Sequence, residues 1–155
     1  MLIVSNTAPL DVPMIDESGA TRTLQEFLGS WVVVYFYPKD NTPGCTLEAE
    51  GFRDLQDSFR NHNAHIIGVS KDTCASHKKF IDKKKLTFTL VADTDHVLME
   101  AFGTWGERSF MGKKYMGTSR STFLINPEGK IAHVWETVKP AGHPEEVLAT
   151  LKELA

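Results

Sequence analysis

The chain has only two cysteines in 155 residues, Cys45 and Cys74, so no disulfide framework can hold it together. Two free thiols suit a reducing compartment, and cytoplasm is the expectation. No apolar run approaches the length of a membrane span. The opening Met1-Leu2-Ile3-Val4 lacks a basic n-region and a long apolar h-region, so no secretory signal is expected. Lys and Arg number 17 against 20 Asp and Glu, a formal net charge of −3 that gives no electrostatic case for nucleic acid or an anionic membrane. Phosphate-cradling G-x-x-x-x-G-K and dinucleotide G-x-G-x-x-G loops are missing. The six histidines follow no metal-ligand spacing and are read as structural or solvated. Position 48, three residues after Cys45, is a glutamate, so C-x-x-C dithiol chemistry is closed. With no repeats, linkers or low-complexity tracts, residues 1–155 read as one domain.

What is present centres on Trp31 to Phe59. Trp31-Val32-Val33-Val34-Tyr35-Phe36-Tyr37 is an unbroken β-branched and aromatic run, fitting a strand covered on both faces. A turn from Pro38 to Gly44 follows, and Thr42-Pro43 is a helix start with Thr42 as N-cap and Pro43 at the first helical position. Cys45 then occupies the third helical position, among backbone N–H groups without intrahelical partners. A thiol at a positive helix end, close to a hydroxyl, is favoured as thiolate and therefore as nucleophile. Cys45, Glu48, Phe52, Leu55 and Phe59 recur at steps of three and four, one face of a single helix. Glu48 thus lies on a shielded stripe, where a carboxylate needs a cationic partner.

The remaining segments alternate. Pro9 to Ile15 reads as an edge strand broken by prolines, and Thr23 with Glu26 as a capping box opening a short helix that stops at Gly29. Ala64 to Ser70 and Thr87 to Val91 are strands, separated by a helix from Lys71-Asp72-Thr73 to about Lys84. Asp93-Thr94-Asp95 caps a helix through Phe102 that ends at Gly103. Trp105 to Gly117 reads as an irregular, glycine-punctuated segment whose aromatics cover a site, form a partner surface or simply pack within a plain loop. Thr122 to Ile125, Asn126-Pro127-Glu128-Gly129 and Lys130 to Glu136 make a hairpin. Pro144 opens a last helix lined by Val147, Leu148, Leu151 and Leu154. Strands alternating with helices and ending in an antiparallel hairpin predict an α/β layer fold of thioredoxin-like type, a central mixed sheet with helices on both faces.

Pro38, Thr42 and Cys45 match a P-x-x-x-T-x-x-C signature that resembles peroxiredoxins. Tyr35-Phe36-Tyr37-Pro38-Lys39 followed by Thr42-Pro43-Gly44-Cys45-Thr46 is similar to the bacterioferritin-comigratory-protein (PrxQ) branch, with likeness from about Ala8 to the C-terminus. The resemblance implies the same thioredoxin-like fold. It also implies a thiol-dependent peroxidase reducing hydrogen peroxide and organic hydroperoxides in antioxidant defence. Cys45 would be the peroxidatic nucleophile that passes through a sulfenic acid, with Thr42, Arg120 and Pro38 around it. Gly117-Thr118-Ser119-Arg120, leading into Phe123, matches the position of the family's active-site arginine, which Glu48 would orient. No metal, haem or flavin cofactor is implied. Thioredoxin or a small thiol would be the reductant, and a monomer or weak homodimer the assembly. The family often carries a resolving cysteine at the positions of Glu50 or Ile81 here; neither has sulfur. Cys74 is the one candidate within the chain, and single-cysteine cycling with external thiol is the expectation. A thiol–disulfide oxidoreductase and a non-enzymatic redox-sensing or chaperone-like module are the competing readings. Insulin reduction would reveal the first, and a lack of catalytic peroxide consumption the second.

Overall fold

A computed structural model describes residues 1–155. Two short strands, β1 (Met14–Ile15) and β2 (Thr21–Arg22), pair as a small hairpin, and a 3-10 turn over Leu24–Phe27 leads into β3 (Trp31–Phe36). Then come α1 (Pro43–Asp54), α2 (Gln56–Asn61), β4 (Ala64–Ser70), α3 (Cys74–Lys84), β5 (Thr89–Ala92) and α4 (Val97–Phe102). The chain closes with β6 (Trp105–Phe110), β7 (Lys113–Thr118), β8 (Ser121–Ile125), β9 (Ile131–Trp135) and α5 (His143–Leu154).

The central sheet has the order β5-β4-β3-β8-β9, with β3 in the middle. β3 runs parallel to β4, β4 parallel to β5, and β8 antiparallel to both β3 and β9. Alternation along β3 splits its side chains between two cores, because successive residues of a strand point to opposite faces. Val33, Tyr35 and Tyr37 pack with Phe52, Phe59, Phe80, Val147 and Leu151, covering one face with α1, α2, α3 and α5. Val32, Val34 and Phe36 pack with Leu24, Leu98, Met99, Phe102 and Phe123 on the other. Each such large side chain contributes ~1.5–3 kcal/mol by leaving water, and Tyr35 stacks on Phe52 with ring centroids 4.7 Å apart. A sheet wet on neither side is why the β3 run carries no polar residue. This mixed sheet with helices on both faces is the thioredoxin-like arrangement.

Register decides what meets at the carboxyl end of β3. Phe36 pairs with Ser121, so the next antiparallel position sets Arg120 beside Tyr37, where β3 hands over to the Cys45 loop. The Arg120 carbonyl is pinned from the far side by Val138 N–H at 2.9 Å.

Several expected elements differ. The single helix from Pro43 to Phe59 is broken at Leu55, whose backbone lies near φ −99°, ψ 5°. Leu55 N–H still reaches Gly51 O at 3.2 Å and Phe59 N–H reaches Leu55 O at 3.1 Å, so the bend keeps one apolar face. The edge strand over Pro9 to Ile15 shrinks to Met14–Ile15, because prolines remove ladder donors. Thr23 makes no side-chain cap, and Glu26 turns to Arg22 instead, leaving a 3-10 turn in place of the capping box. Leu154 is exposed at the end of α5 and does not share the buried side of Val147, Leu148 and Leu151. Trp105 to Gly117 is an ordered antiparallel ribbon, β6–β7, turned by Met111 and Gly112 with φ +52° and +79°. Positive φ at both central residues is the hairpin geometry whose twist suits paired strands. A methionine in that place hides the signal. Asp93 caps α4 as expected, its two oxygens accepting from Leu98 N–H (3.0 Å) and Met99 N–H (2.8 Å).

Candidate active site

The loop from Pro38 to Asn41 leaves β3, and α1 begins at Pro43 with Thr42 in extended conformation before it. Cys45 is accordingly the third helical residue and is 1 % exposed. Its sulfur accepts from Arg120 Nη2 at 3.2 Å, and Arg120 Nη1 donates to Glu48 Oε1 at 2.9 Å. Glu48 lies one helical turn below Cys45 and is fully buried, while the Arg120 side chain is 18 % exposed. Two residues of α1, Cys45 and Glu48, thus share the guanidinium of Arg120, which comes from the link between β7 and β8 75 positions after Cys45.

Burial pushes Glu48 up to about 7, with Arg120 only partly offsetting it. Glu48 Oε2 has no hydrogen-bond partner, so its ionised form rests on the single Arg120 contact. Burial also works against the charge on Arg120, yet the Cys45 sulfur and the Glu48 carboxylate hold the guanidinium above its ordinary range.

Thr42 is not a side-chain cap. Its hydroxyl donates to Lys39 O at 2.9 Å, and its carbonyl accepts from Thr46 N–H at 2.8 Å. The proton of the hydroxyl is therefore committed to the loop, which leaves its oxygen lone pairs as the free hydrogen-bonding capacity of Thr42. Pro38 is exposed at the mouth of the loop. Cys74 opens α3, and its thiol donates to Asp16 O at 3.3 Å, facing the β1–β2 hairpin; both cysteines are free thiols. Glu50 is half-buried and within 3.7 Å of Arg53, and Ile81 packs at the margin of the α1-side core.

Two features escape a reading of the sequence. Gly44 looks like ordinary turn chemistry, but a Cβ there would lie 3.3 Å from Pro140 Cγ and 3.4 Å from Arg120 Nη2. The guanidinium would then be at ordinary contact distance, and Pro140 is the neighbour that would have to give by a few tenths of an ångström. The second is a polar cluster behind the loop. Asp40 Oδ1 accepts from Tyr37 OH at 2.6 Å, and Oδ2 accepts from Ser76 Oγ at 2.8 Å and pairs with His77 Nδ1 at 2.7 Å. Asp72 Oδ2 accepts from Asp40 N–H and Ser70 Oγ. Asp40, Asp72 and His77 bring ligand atoms within 4.8 Å of one another. Both Asp40 oxygens, both His77 ring nitrogens and Asp72 Oδ2 are already engaged in hydrogen bonds, so the set is a hydrogen-bond network.

Residues 4–134 match the AhpC/TSA family. Peroxiredoxin Bcp of Bacillus subtilis is 45% identical over 152 residues, which is 98% of this chain and 96% of that protein. Peroxiredoxin Bcp of Escherichia coli K12 is 46% identical over 140 residues, 90% of each chain. The solved bacterioferritin comigratory protein of Xanthomonas campestris, studied for alkyl peroxide reduction in trapped intermediate and ligand complexes, superposes with a TM-score of 0.92 at 42% identity over 99% of both chains. The relatives and the fold thus define a thiol-dependent peroxidase. The chain belongs to the AhpC/TSA family, among the peroxiredoxins of the Bcp/PrxQ branch.

Proposed function

We propose that Cys45 is the nucleophile of this peroxidase and that hydrogen peroxide and organic hydroperoxides are its substrates. The carrying observation is Arg120 bound at once to Cys45 Sγ and Glu48 Oε1. The thiolate attacks one peroxide oxygen, the O–O bond breaks, the other oxygen leaves as water or alcohol after taking a proton, and Cys45 becomes a sulfenic acid. Arg120 and the unpaired N–H groups of the first turn of α1 stabilise charge on the oxygens as the bond breaks. Thr42 orients the peroxide by accepting its O–H, Pro38 shields the sulfur from bulk water, and Glu48 holds the fork of Arg120 in place. The alkyl peroxide reduction studied in the Xanthomonas relative supports the organic branch of this specificity.

Thioredoxin or a small thiol restores Cys45, in a chain acting in the cytoplasm as a monomer or weak homodimer. No helix is long and apolar enough to cross a membrane. The two cores on opposite faces of one sheet support a single domain over residues 1–155. Cys45 is sealed under Arg120 while the Cys74 thiol faces Asp16 O, and both begin helices whose first turns would have to unwind to join. Disulfide geometry needs Cα atoms within ~7 Å, and unwinding the start of α3 breaks the Thr73 cap on Ser76 N–H at ~1 kcal/mol. Cys74 is therefore a bystander. Cys74→Ser should retain most turnover supported by small thiol, and the wild type should over-oxidise readily to the sulfinic form. Peroxide consumption with added thiol and peptide mapping decide this. A Cys74→Ser protein that stalls after one turnover, with a Cys45–Cys74 peptide in oxidised wild type, would make Cys74 the resolving residue.

A further inference from the structure

Cys45 is 1 % exposed, and the chain brings no second thiol against it. External thiol must attack the sulfenic sulfur in line: Cys45–SOH and RSH give Cys45–S–S–R and water, and a second RSH releases the Cys45 thiol and RSSR. A bulky thiol cannot reach a sealed sulfur, so the loop from Pro38 to Asn41 and the first turn of α1 must move aside. What fastens that loop is Asp40. Three side chains hold its carboxylate, one from β3's end (Tyr37) and two from α3 (Ser76, His77), and its backbone N–H is held by Asp72.

The chemistry of His77 fixes the proton. Its Nε2 lies 2.9 Å from Val91 O, which only accepts, so Nε2 carries a hydrogen. Its Nδ1 faces Asp40 Oδ2 at 2.7 Å, so a second proton lies in that bond. The side chain of His77 is fully buried, and that of Asp40 is nearly so. Resting on the peroxidase reading, we propose that the Asp40–His77 ion pair is a latch. Charged, it closes the catalytic loop on α3; discharged, it lets the external thiol reach oxidised Cys45. His77 and Asp40 are positioning residues and do not touch the reacting atoms.

The electrostatics agree. Burial works against both charges, yet hydrogen bonds from His77, Tyr37 and Ser76 hold Asp40 below its ordinary range. Asp40, Val91 O and Asp72 hold His77 above its own. The other groups around the pair are the Tyr37 ring, 6.5 Å from His77, and Lys79 and Lys83, which flank Asp40 from α3. A histidine raised in the folded state contributes fully below its unfolded value and loses that contribution as pH rises through its folded value. The latch therefore loosens toward alkaline pH.

The test oxidises wild type and His77→Gln with one equivalent of hydrogen peroxide and follows trapping of the sulfenic acid by dimedone from about pH 6 to about pH 9, spanning the histidine range. Wild type should be trapped slowly at the acid end and faster as pH rises. His77→Gln should be trapped about tenfold faster at the acid end, the factor ~1.4 kcal/mol gives, with a flatter profile. Because His77 is buried and its replacement puts folding at stake, nitrogen NMR of the wild-type imidazole supplies a second reading. Two protonated ring nitrogens at neutral pH are expected, and a single neutral tautomer there overturns the latch. Equal trapping profiles in the two proteins overturn it too while leaving the peroxidase intact. Absence of any sulfenic acid at Cys45 overturns the peroxidase reading, and the latch with it.

Discussion

Cys45→Ser should lose peroxide turnover by at least ~10³-fold, the scale on which removing a nucleophile acts, while its melting temperature stays close to that of the wild type. The sulfur touches one polar group, Arg120 Nη2, and a serine oxygen in the same place keeps that contact and almost the same volume. A hydroxyl, however, is not appreciably ionised at neutral pH and is a poor nucleophile toward peroxide oxygen. The variant separates chemistry from folding. Substantial thiol-supported peroxide consumption by Cys45→Ser would mean that another group does the chemistry.

Arg120→Ala should strike both function and stability. Removing a preorganised cation from the breaking O–O bond costs ~10²–10³-fold in the rate of attack. It also leaves Glu48 fully buried with neither oxygen paired, since Oε2 has no partner even in the intact site. Breaking a buried pair costs ~3–5 kcal/mol when the survivor keeps its charge, but Glu48 has an escape in taking up a proton. Its folded value of about 7 lies above the ordinary 4.5, so the folded protein holds a proton that the unfolded chain releases between those limits. Stability from Glu48 accordingly falls as pH rises through that window, already in the wild type and more steeply without Arg120. Thermal unfolding should show Arg120→Ala near wild type at about pH 5 and well below it at about pH 8. Arg120→Lys restores charge without the fork that spans Cys45 and Glu48, and should recover part of the stability and little of the rate. Unchanged attack and an unchanged melting temperature at alkaline pH would dissolve the proposed role of Arg120.

The part of this site readable from sequence is the part made of short-range pattern. An apolar run without a polar break gave β3, Thr42-Pro43 gave the helix start, and counting from it placed Cys45 among the free N–H groups. Steps of three and four put Glu48 under Cys45 on a buried stripe, from which the need for a cation follows without coordinates. That the cation is Arg120 came from resemblance, and its physical reason is register: Phe36 opposite Ser121 sets the next residue at the mouth of the loop. What stayed hidden depends on residues far apart in the chain. His77 reads as one polar residue in a charged helix, and nothing local says that Asp40, 37 positions earlier, lies against it. Gly44 reads as turn punctuation, because its tight neighbour, Pro140, lies 96 positions away in the chain. The β6–β7 ribbon was missed for a different reason: Gly106 and Gly117, which pair across it, look like breaks in a strand.

The most direct test of the central claim is intact-mass and peptide analysis of the wild-type protein after one equivalent of peroxide, with and without thiol. Cys45 as nucleophile predicts a single added oxygen on the peptide carrying Cys45, removed by thiol, with Cys74 unmodified. Oxygen appearing instead on Cys74 or on exposed methionines such as Met111, while Cys45 remains a thiol, would contradict it.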